Sequence, residues 1–306
     1  MPLQRISDHF AADIAKQQIP KTMKNNLIGL ITIASCVTLG MQSANGAAII
    51  HESFNQSDGA LGGQAGGTGL SGNWSTNQTV NVENPSTINH GSLVNEGGQA
   101  VVNSGNNTWA SITTTSALAD AGLLDNGSTL WFSYVFVKQA GASSNEHAGF
   151  AFGTDRVDPA FNGLRMDDGE GLGVYTQGSN IRARGWEGSD RSNGSNLNVD
   201  FGDPTKLVIG RIDWGATAAD DETITIWLGD LDNPGILPMD SSTTTTGPLN
   251  QTDFDTVSFG QRNSGEAQIY DEIRFGATLD SVSPIPEPTT ALLGGLGFLM
   301  LMRRRR

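Results

Sequence analysis

The stretch STLWFSYVFVK sets the pattern for most of the chain, with large apolar side chains at every second position. Leu130, Phe132, Tyr134 and Phe136 fall on one side of an extended chain, and Trp131, Ser133, Val135 and Val137 on the other. A strand apolar on both sides predicts a place in the middle of a sandwich. HAGFAFGT sets Phe150 and Phe152 against small residues. TKLVIGRIDWG and ETITIWLGD both alternate, and ATAADD between them carries turn chemistry, so the pair predicts a hairpin. FDTVSFGQ and AQIYDEIRFGATL predict the closing strands. Only SALADAGLLD, from Ser116 to Leu124, reads as a short helix. Many short strands between Gly, Asn and Asp turns predict an all-β sandwich. Its expected core includes Phe132, Tyr134, Phe136, Ile212, Trp214, Ile224 and Ile226. Trp131 and Trp227 are assigned there too, because they sit in strand patterns.

The two ends break the alternation. Near the start, Lys24 precedes LIGLITIASCVTLG and the small residues SANGAA. That is the charged, apolar and small-residue order of a signal peptide, with cleavage expected after Gly46 or Ala48. Asp8 and Asp13 make the segment before Met23 unusual for such a signal, so Met23 is the expected initiator, with a longer n-region as the alternative. At the other end, Thr289 to Met302 is uncharged and mostly apolar. As a helix it spans roughly 20 Å, short of the roughly 20 apolar residues that a bilayer core asks for. Arg303, Arg304, Arg305 and Arg306 extend its reach by snorkelling and mark a cytoplasmic end. Pro286 and Pro288 keep the helix from starting earlier. The expected organisation is therefore a signal region over 1–46, one domain over 47–283 and a transmembrane sorting segment over 284–306.

Charge sharpens the picture. The chain carries a formal net charge of −14. Arg5, Lys16, Lys21, Lys24 and the four terminal arginines all lie in the end segments, so the domain between them is more acidic still. Such a total argues against nucleic acid or an anionic membrane surface as a partner. The single cysteine, Cys36, lies in the apolar run of the signal, so the mature domain is expected to have no disulfide.

Pro286-Glu287-Pro288, the apolar run from Ala291 and the closing arginines together resemble the PEP-CTERM sorting signal of exported bacterial proteins. The resemblance implies recognition by an exosortase in the inner membrane of a Gram-negative cell. It implies transient residence there, then release to the cell surface or extracellular matrix. The domain itself is similar to the laminin G-like, concanavalin A-like jelly roll. HESFNQSDGALGGQAGGTGLSGNWS supplies the E-x-F, Gly-rich stretch and Trp of its opening. YDEIRFGATLDSV resembles its last strand, which returns beside the first.

The residues offer little catalytic chemistry. The Glu-x-Asp-x-Glu strand of related jelly-roll glucanases does not occur. His51, His90 and His147 form no metal-binding pair in sequence, and no G-x-S-x-G elbow is present. GALGGQAGGTGL lacks Gly-Lys-Ser/Thr and reads as a mobile loop. The resemblance makes Ca²⁺ the candidate cofactor, held at a loop rim by carboxylates. Asp155 and Asp158, with Asp167, Asp168 and Glu170, are the available groups. Sugar binding would use exposed rings, and Trp186, Trp74 and Trp109 sit in Gly- and Asn-rich surroundings. Trp186 leads because RARGWEGSDRSNG reads as a loop. The expected protein is thus a non-enzymatic surface or matrix protein whose jelly roll binds extracellular polysaccharide. The rivals are a glycan-active hydrolase or lyase on the same fold, and a purely structural matrix protein.

Overall fold

A computed structural model describes residues 46–77, 80–103, 107–138, 146–158, 164–166, 169–188, 190–199, 205–262 and 265–284. The chain clusters into two units, Met1–Ala44 and Asn45–Arg306, and all described residues belong to the second. The signal region, Pro286, Glu287, Pro288 and the terminal arginines lie outside the described residues. Among the described residues no helix is long and apolar enough to cross a membrane.

The alternating stretches form strands throughout. In chain order these are β1 (Ile50–Glu52), β2 (Gly59–Ala60), β3 (Leu70–Thr76), β4 (Val80–Glu83), β5 (Gln99–Val102) and β6 (Thr108–Thr114). After helix α1 (Ala117–Asp120) come β7 (Thr129–Lys138), β8 (His147–Gly153), β9 (Val157–Asp158), β10 (Arg165–Met166) and β11 (Glu170–Gln177). Then follow β12 (Asn180–Glu187), β13 (Asp190–Asn193), β14 (Leu197–Asn198), β15 (Thr205–Asp213), β16 (Thr223–Gly229) and β17 (Ser242–Thr245). The closing elements are β18 (Thr256–Arg262), β19 (Gln268–Gly276) and helix α2 (Leu279–Val282). They make two large antiparallel sheets and a separate two-stranded ribbon, β9–β10. The first runs β17-β16-β15-β7-β19-β5-β4-β2, and the second runs β13-β12-β11-β8-β18-β6-β3. The expected β15–β16 hairpin is present, from Leu207 opposite Gly229 to Asp213 opposite Thr223.

The faces of the two sheets that meet hold an aromatic core. Tyr134 stacks on Phe150 with ring centroids 4.3 Å apart, and Phe259 stacks on Tyr270 at 4.5 Å. Seven of the nine expected core residues, all but Trp131 and Trp227, are buried there. The other face of β7 is buried as well. Val135 packs with Leu93, Leu207 and Ile209 on the outer side of the first sheet, under partly buried Ile88, Leu231 and Leu237. Hence β7 is apolar on both sides.

Two expectations are corrected. The helix is only one turn long, because Gly122 adopts φ +70° just beyond it. Leu123 N–H then donates to Leu118 O and Gly122 N–H to Ala119 O, a Schellman closure. Trp131 and Trp227 are not core residues. They sit on the opposite parity from Phe132 and Ile226, so they point outward and stack on each other, half-buried, at 5.9 Å.

The chain closes on itself where β1 pairs β19, with Ile50 opposite Phe275 and Glu52 opposite Ile273. The last strand thus returns beside the first, as the opening and closing motifs led one to expect. β19 changes partner along its length, from β5 at Gln268–Tyr270 to β1 at Ile273–Phe275. A bulge between Asp271 and Arg274 makes the switch, with Glu272 at φ +50°. The glycine stretch before β3 is tied down rather than loose. Glu52, 1 % exposed, accepts hydrogen bonds from Phe54 N, Gly67 N (2.9 Å) and Trp74 Nε1 (3.1 Å). One buried carboxylate therefore accounts for the E-x-F, the glycines and the Trp of the opening motif. It joins all three, and each bond satisfies a donor that burial would otherwise strand.

Candidate functional site

The outer face of the second sheet is built differently from that of the first. Its floor is nearly bare: Gly149, Ala151 and Gly153 on β8 lie beside Gly171 and Gly173 on β11. Strand alternation puts these small residues on the face opposite Phe150 and Val174. The chain's own β9–β10 flap beds into part of this trough. Val157, Leu164 and Met166 pack against Ala151, Tyr175 and Trp186. A Cβ at Gly149 would stand 2.7 Å from Leu164 Cδ1, and one at Gly171 2.4 Å from Met166 Sδ. Trp186 Nε1 donates to Leu164 O at 3.0 Å, and Ser258 Oγ accepts from Val157 N at 2.9 Å.

Beside the flap, the same face gathers a polar cluster. Tyr175 on β11 and His147 on β8 are joined through Tyr175 Oη and His147 Nδ1, with rings stacked at 5.6 Å. The Arg184 guanidinium lies 3.3 Å from the centroid of the Tyr175 ring, and that of Arg182 lies 5.0 Å away. Asn193 on β13 takes Arg184 Nε–H at 2.8 Å. Lys138, at the end of β7, donates to Gly178 O at 2.6 Å in the turn between β11 and β12. Burial, with Arg262, Arg184, Lys138 and Arg182 around it, pushes His147 down to about 4. It is therefore neutral near pH 7. Burial also lowers Arg184 to about 9, and Arg182 and Arg191 add to the push against the attraction of Tyr175.

Next to this cluster, between the β14 segment and the chain after β16, runs a groove of about 510 Å³. Ser195, Asn196, Asn198, Asp240 and Ser241 give it amides, hydroxyls and a carboxylate, while Leu197, Leu228 and Pro238 give apolar surface. Asn196 Oδ1 accepts from Arg182 Nη1 at 3.4 Å, so the groove and the cluster share a wall. Ile236 and Met239 are exposed in the same segment.

A second cavity, about 370 Å³, lies at the corner where β1 meets β19. Gly46, Ala47, Ala48 and Pro284 line it with His51, Glu96 and Arg274. Glu272 sits behind it, bonded to His51 Nε2 at 2.7 Å, to Glu96 N at 2.8 Å and to Arg274. Burial pushes Glu272 up, but the His51 bond and Arg274 outweigh it and hold the carboxyl below its usual range. Its neighbour Asp271 is raised by burial, even though His90 Nε2 stands 2.8 Å away. This network pairs the charges that the β19 bulge buries, although Arg274 Nη1 is left without a hydrogen-bond partner among the described residues.

The candidates chosen from sequence are scattered. Trp186 is fully buried on β12, held by Leu164 O, because RARGWE is a strand under the flap and not a loop. Trp74 is buried against Phe54 and Phe259, its N–H spent on Glu52. Neither is an open stacking platform. Trp109 on β6 stays half-buried, with the Arg156 guanidinium 4.5 Å over its ring. Of the calcium candidates, Asp155 takes Arg156 N at 2.7 Å and Glu170 takes Asn250 N at 3.1 Å. Asp158 stands opposite Arg165 in the backbone register of β9–β10, and Asp167 and Asp168 lie outside the described residues. Among the described residues, no three His, Cys, Asp or Glu side chains come together to hold a metal ion. Sequence reading missed His147, Tyr175 and the two arginines. Its available signal was Arg182-Ala183-Arg184, since alternation in a strand sends both arginines to one face.

No family model matches this chain, and neither does any curated protein. Among solved structures, the chain is similar to a protein of unknown function from Shewanella oneidensis MR-1, at 11% identity and TM-score 0.47, over 88% of this chain and 99% of that one. It is also similar to an endo-beta-1,4-glucuronan lyase from the fungus Trichoderma reesei, at 13% identity and TM-score 0.45, over 78% and 99%. A third is the binding domain of botulinum neurotoxin DC, solved in complex with rat synaptotagmin II, at 10% identity and TM-score 0.46, over 83% and 52%. At these values none of the three carries an argument about chemistry or ligand.

Proposed function

We propose that this chain is an exported cell-surface or extracellular-matrix protein, without turnover of its own, whose sandwich binds polysaccharide. In this reading the sandwich is a jelly roll of laminin G-like type. The signal region carries the chain across the inner membrane of a Gram-negative cell. An exosortase then acts at Pro286-Glu287-Pro288, and the transient anchor ending in Arg303 to Arg306 is lost. The observation that carries the binding function is the groove beside β14. Amide and hydroxyl groups there suit sugar hydroxyls, and Leu197, Leu228 and Pro238 suit the C–H faces of a sugar ring.

The test is a glycan array with the secreted protein, followed by Asn196→Ala with Asn198→Ala. The double variant is expected to lose binding by about tenfold or more while its melt stays within the usual range for surface changes. Binding unchanged by it rejects the groove. Release of shortened saccharides or unsaturated ends on prolonged incubation would favour the hydrolase or lyase reading instead. Mass spectrometry of the extracellular form tests the sorting step, since an intact C-terminus through Arg306 would refute it.

A further inference from the structure

Resting on that reading, we propose that the polysaccharide carries acetamido groups, and that the groove beside β14 takes them. Leu197, Leu228 and Pro238 hold the acetyl methyl, the amide of Asn196 or Asn198 donates to the acetyl C=O, and Asp240 accepts from its N–H.

The free polar groups of the groove are the first support. Among the described residues, the Asn198 side chain and the Asp240 carboxylate take part in no hydrogen bond, and both residues are exposed. Asn196 spends its oxygen on Arg182 Nη1 at 3.4 Å and keeps its amide protons. The groove therefore offers donors and an acceptor together. A secondary amide needs both, a donor at its C=O and an acceptor at its N–H. It is also neutral, which suits the place. A carboxylate or sulfate there would meet Asp240 on a chain of net charge −14. A free amine would suit Asp240 but would leave the asparagine donors and the apolar wall unused.

The second support is the form of that wall. Leu197 and Leu228 are partly buried and packed against the inner core, and Pro238 is half-buried with a ring that fixes its backbone. Their open sides make a fixed aliphatic surface. Among the described residues no aromatic side chain lines the groove, so it lacks the flat ring that would cover a whole sugar face. Branched aliphatic side chains instead match a compact methyl group. At the same edge, Met239 stands fully exposed between the lining residues Pro238 and Asp240, and Ile236 is 66 % exposed two positions before Pro238. Among the described residues these are the large apolar side chains left most open to water. Such side chains at the edge of a groove gain from a ligand that brings apolar surface of its own. A plain hexose brings hydroxyls, whereas an acetamido sugar adds a methyl group.

The experiment titrates the secreted protein with β-linked hexasaccharides that share one backbone and differ only in the substituent beside the anomeric carbon. They are the hexamers of N-acetylglucosamine, glucosamine and glucose, each at about 20 and 300 mM NaCl. One buried methyl group is worth about fourfold in affinity. With the amide's hydrogen bonds added, the N-acetylglucosamine hexamer is expected to bind about tenfold tighter than the glucose hexamer, alike at both salts. Pro238→Ser should cut that preference by about threefold or more. Saturation-transfer NMR should find the acetyl methyl protons among those nearest the protein. Equal binding of the N-acetylglucosamine and glucose hexamers overturns this proposal and leaves polysaccharide binding intact. Tightest binding of the glucosamine hexamer, lost at the higher salt, assigns the attraction to the acidic surface and also overturns it. If none of the hexamers binds, this proposal falls and the glycan array decides the reading beneath it: a hit on another glycan keeps that reading, and an empty array ends both. A preference untouched by Pro238→Ser, or an acetyl methyl that receives no saturation, places recognition outside the groove and overturns the assignment.

Discussion

The outer faces of the two sheets take opposite routes to being covered. The first sheet sends Val135, Leu207 and Ile209 outward, and the loops bearing Leu93, Leu231 and Leu237 close over them. The second sends glycine and alanine outward, so that a flap can lie almost on the backbone and a cluster of Tyr, His and Arg can stand beside it. A face that covers itself with apolar side chains has no vacancy for a ligand. A face whose floor is glycine keeps depth, and whatever fills that depth is set by the neighbouring strands.

The sharpest way to break the contrast is to fill the floor. A Cβ at Gly173 would stand 2.0 Å from Phe150 O, a backbone atom that cannot step aside. Gly173→Val is expected to yield no folded protein, scored by soluble expression and circular dichroism. A folded variant would mean the trough is not needed. The opposite change on the first sheet is milder. Ile209 is fully buried on the outer face, and Ile209→Ala is expected to cost about 2–5 kcal/mol in urea unfolding. A loss below 1 kcal/mol would show that this face is not a second core.

The next test uses pH, through His147 on the second face. His147 has an ordinary value of 6.5 and a folded value of about 4. Between them the unfolded chain takes up a proton that the folded chain refuses. The contribution is therefore full above pH 6.5 and lost as pH falls toward 4, a change of about 3 kcal/mol. His147→Gln should flatten that part of the profile, whereas an unchanged profile assigns the acid sensitivity elsewhere. The smallest effect expected is on the outer Trp pair. A double-mutant cycle of Trp131→Ala and Trp227→Ala should give a coupling of about 0.5–1.5 kcal/mol. Zero coupling would mean that the 5.9 Å stack is incidental to stability.

Alternation made the strands legible, and with them the hairpin and every residue assigned to the inner core except the outward Trp131 and Trp227. Parity within one strand could have placed those two, because Phe132 and Ile226 already claimed the inner face. The site was far less legible. A glycine such as Gly149 reads as a turn signal, and nothing local says that Leu164 will press on it. The Tyr175–His147 bond joins residues 28 apart in sequence, and the Glu52 bond to Trp74 spans 22. Pairing partners of that kind are set by register between strands, which a single sequence does not state. The Trp in RARGWEGSDRSNG was misread for the converse reason. Its polar flanks announce a loop, while the strand it ends on is covered from above by the flap.

The meeting of β1 and β19 at one corner also has a mechanical side. Gly46 and Pro284 line the same cavity, and Val94 N–H holds Pro284 O at 3.3 Å. The start of β1 therefore lies beside the end of β19. A force drawing these two points apart would reach the Ile49–Phe275 hydrogen bond (2.8 Å) first and then each pair in turn. Strands loaded in this way peel like a zip, one bond at a time. Strands pulled along their length must break all their bonds together. A domain so joined resists little when stretched between its two ends.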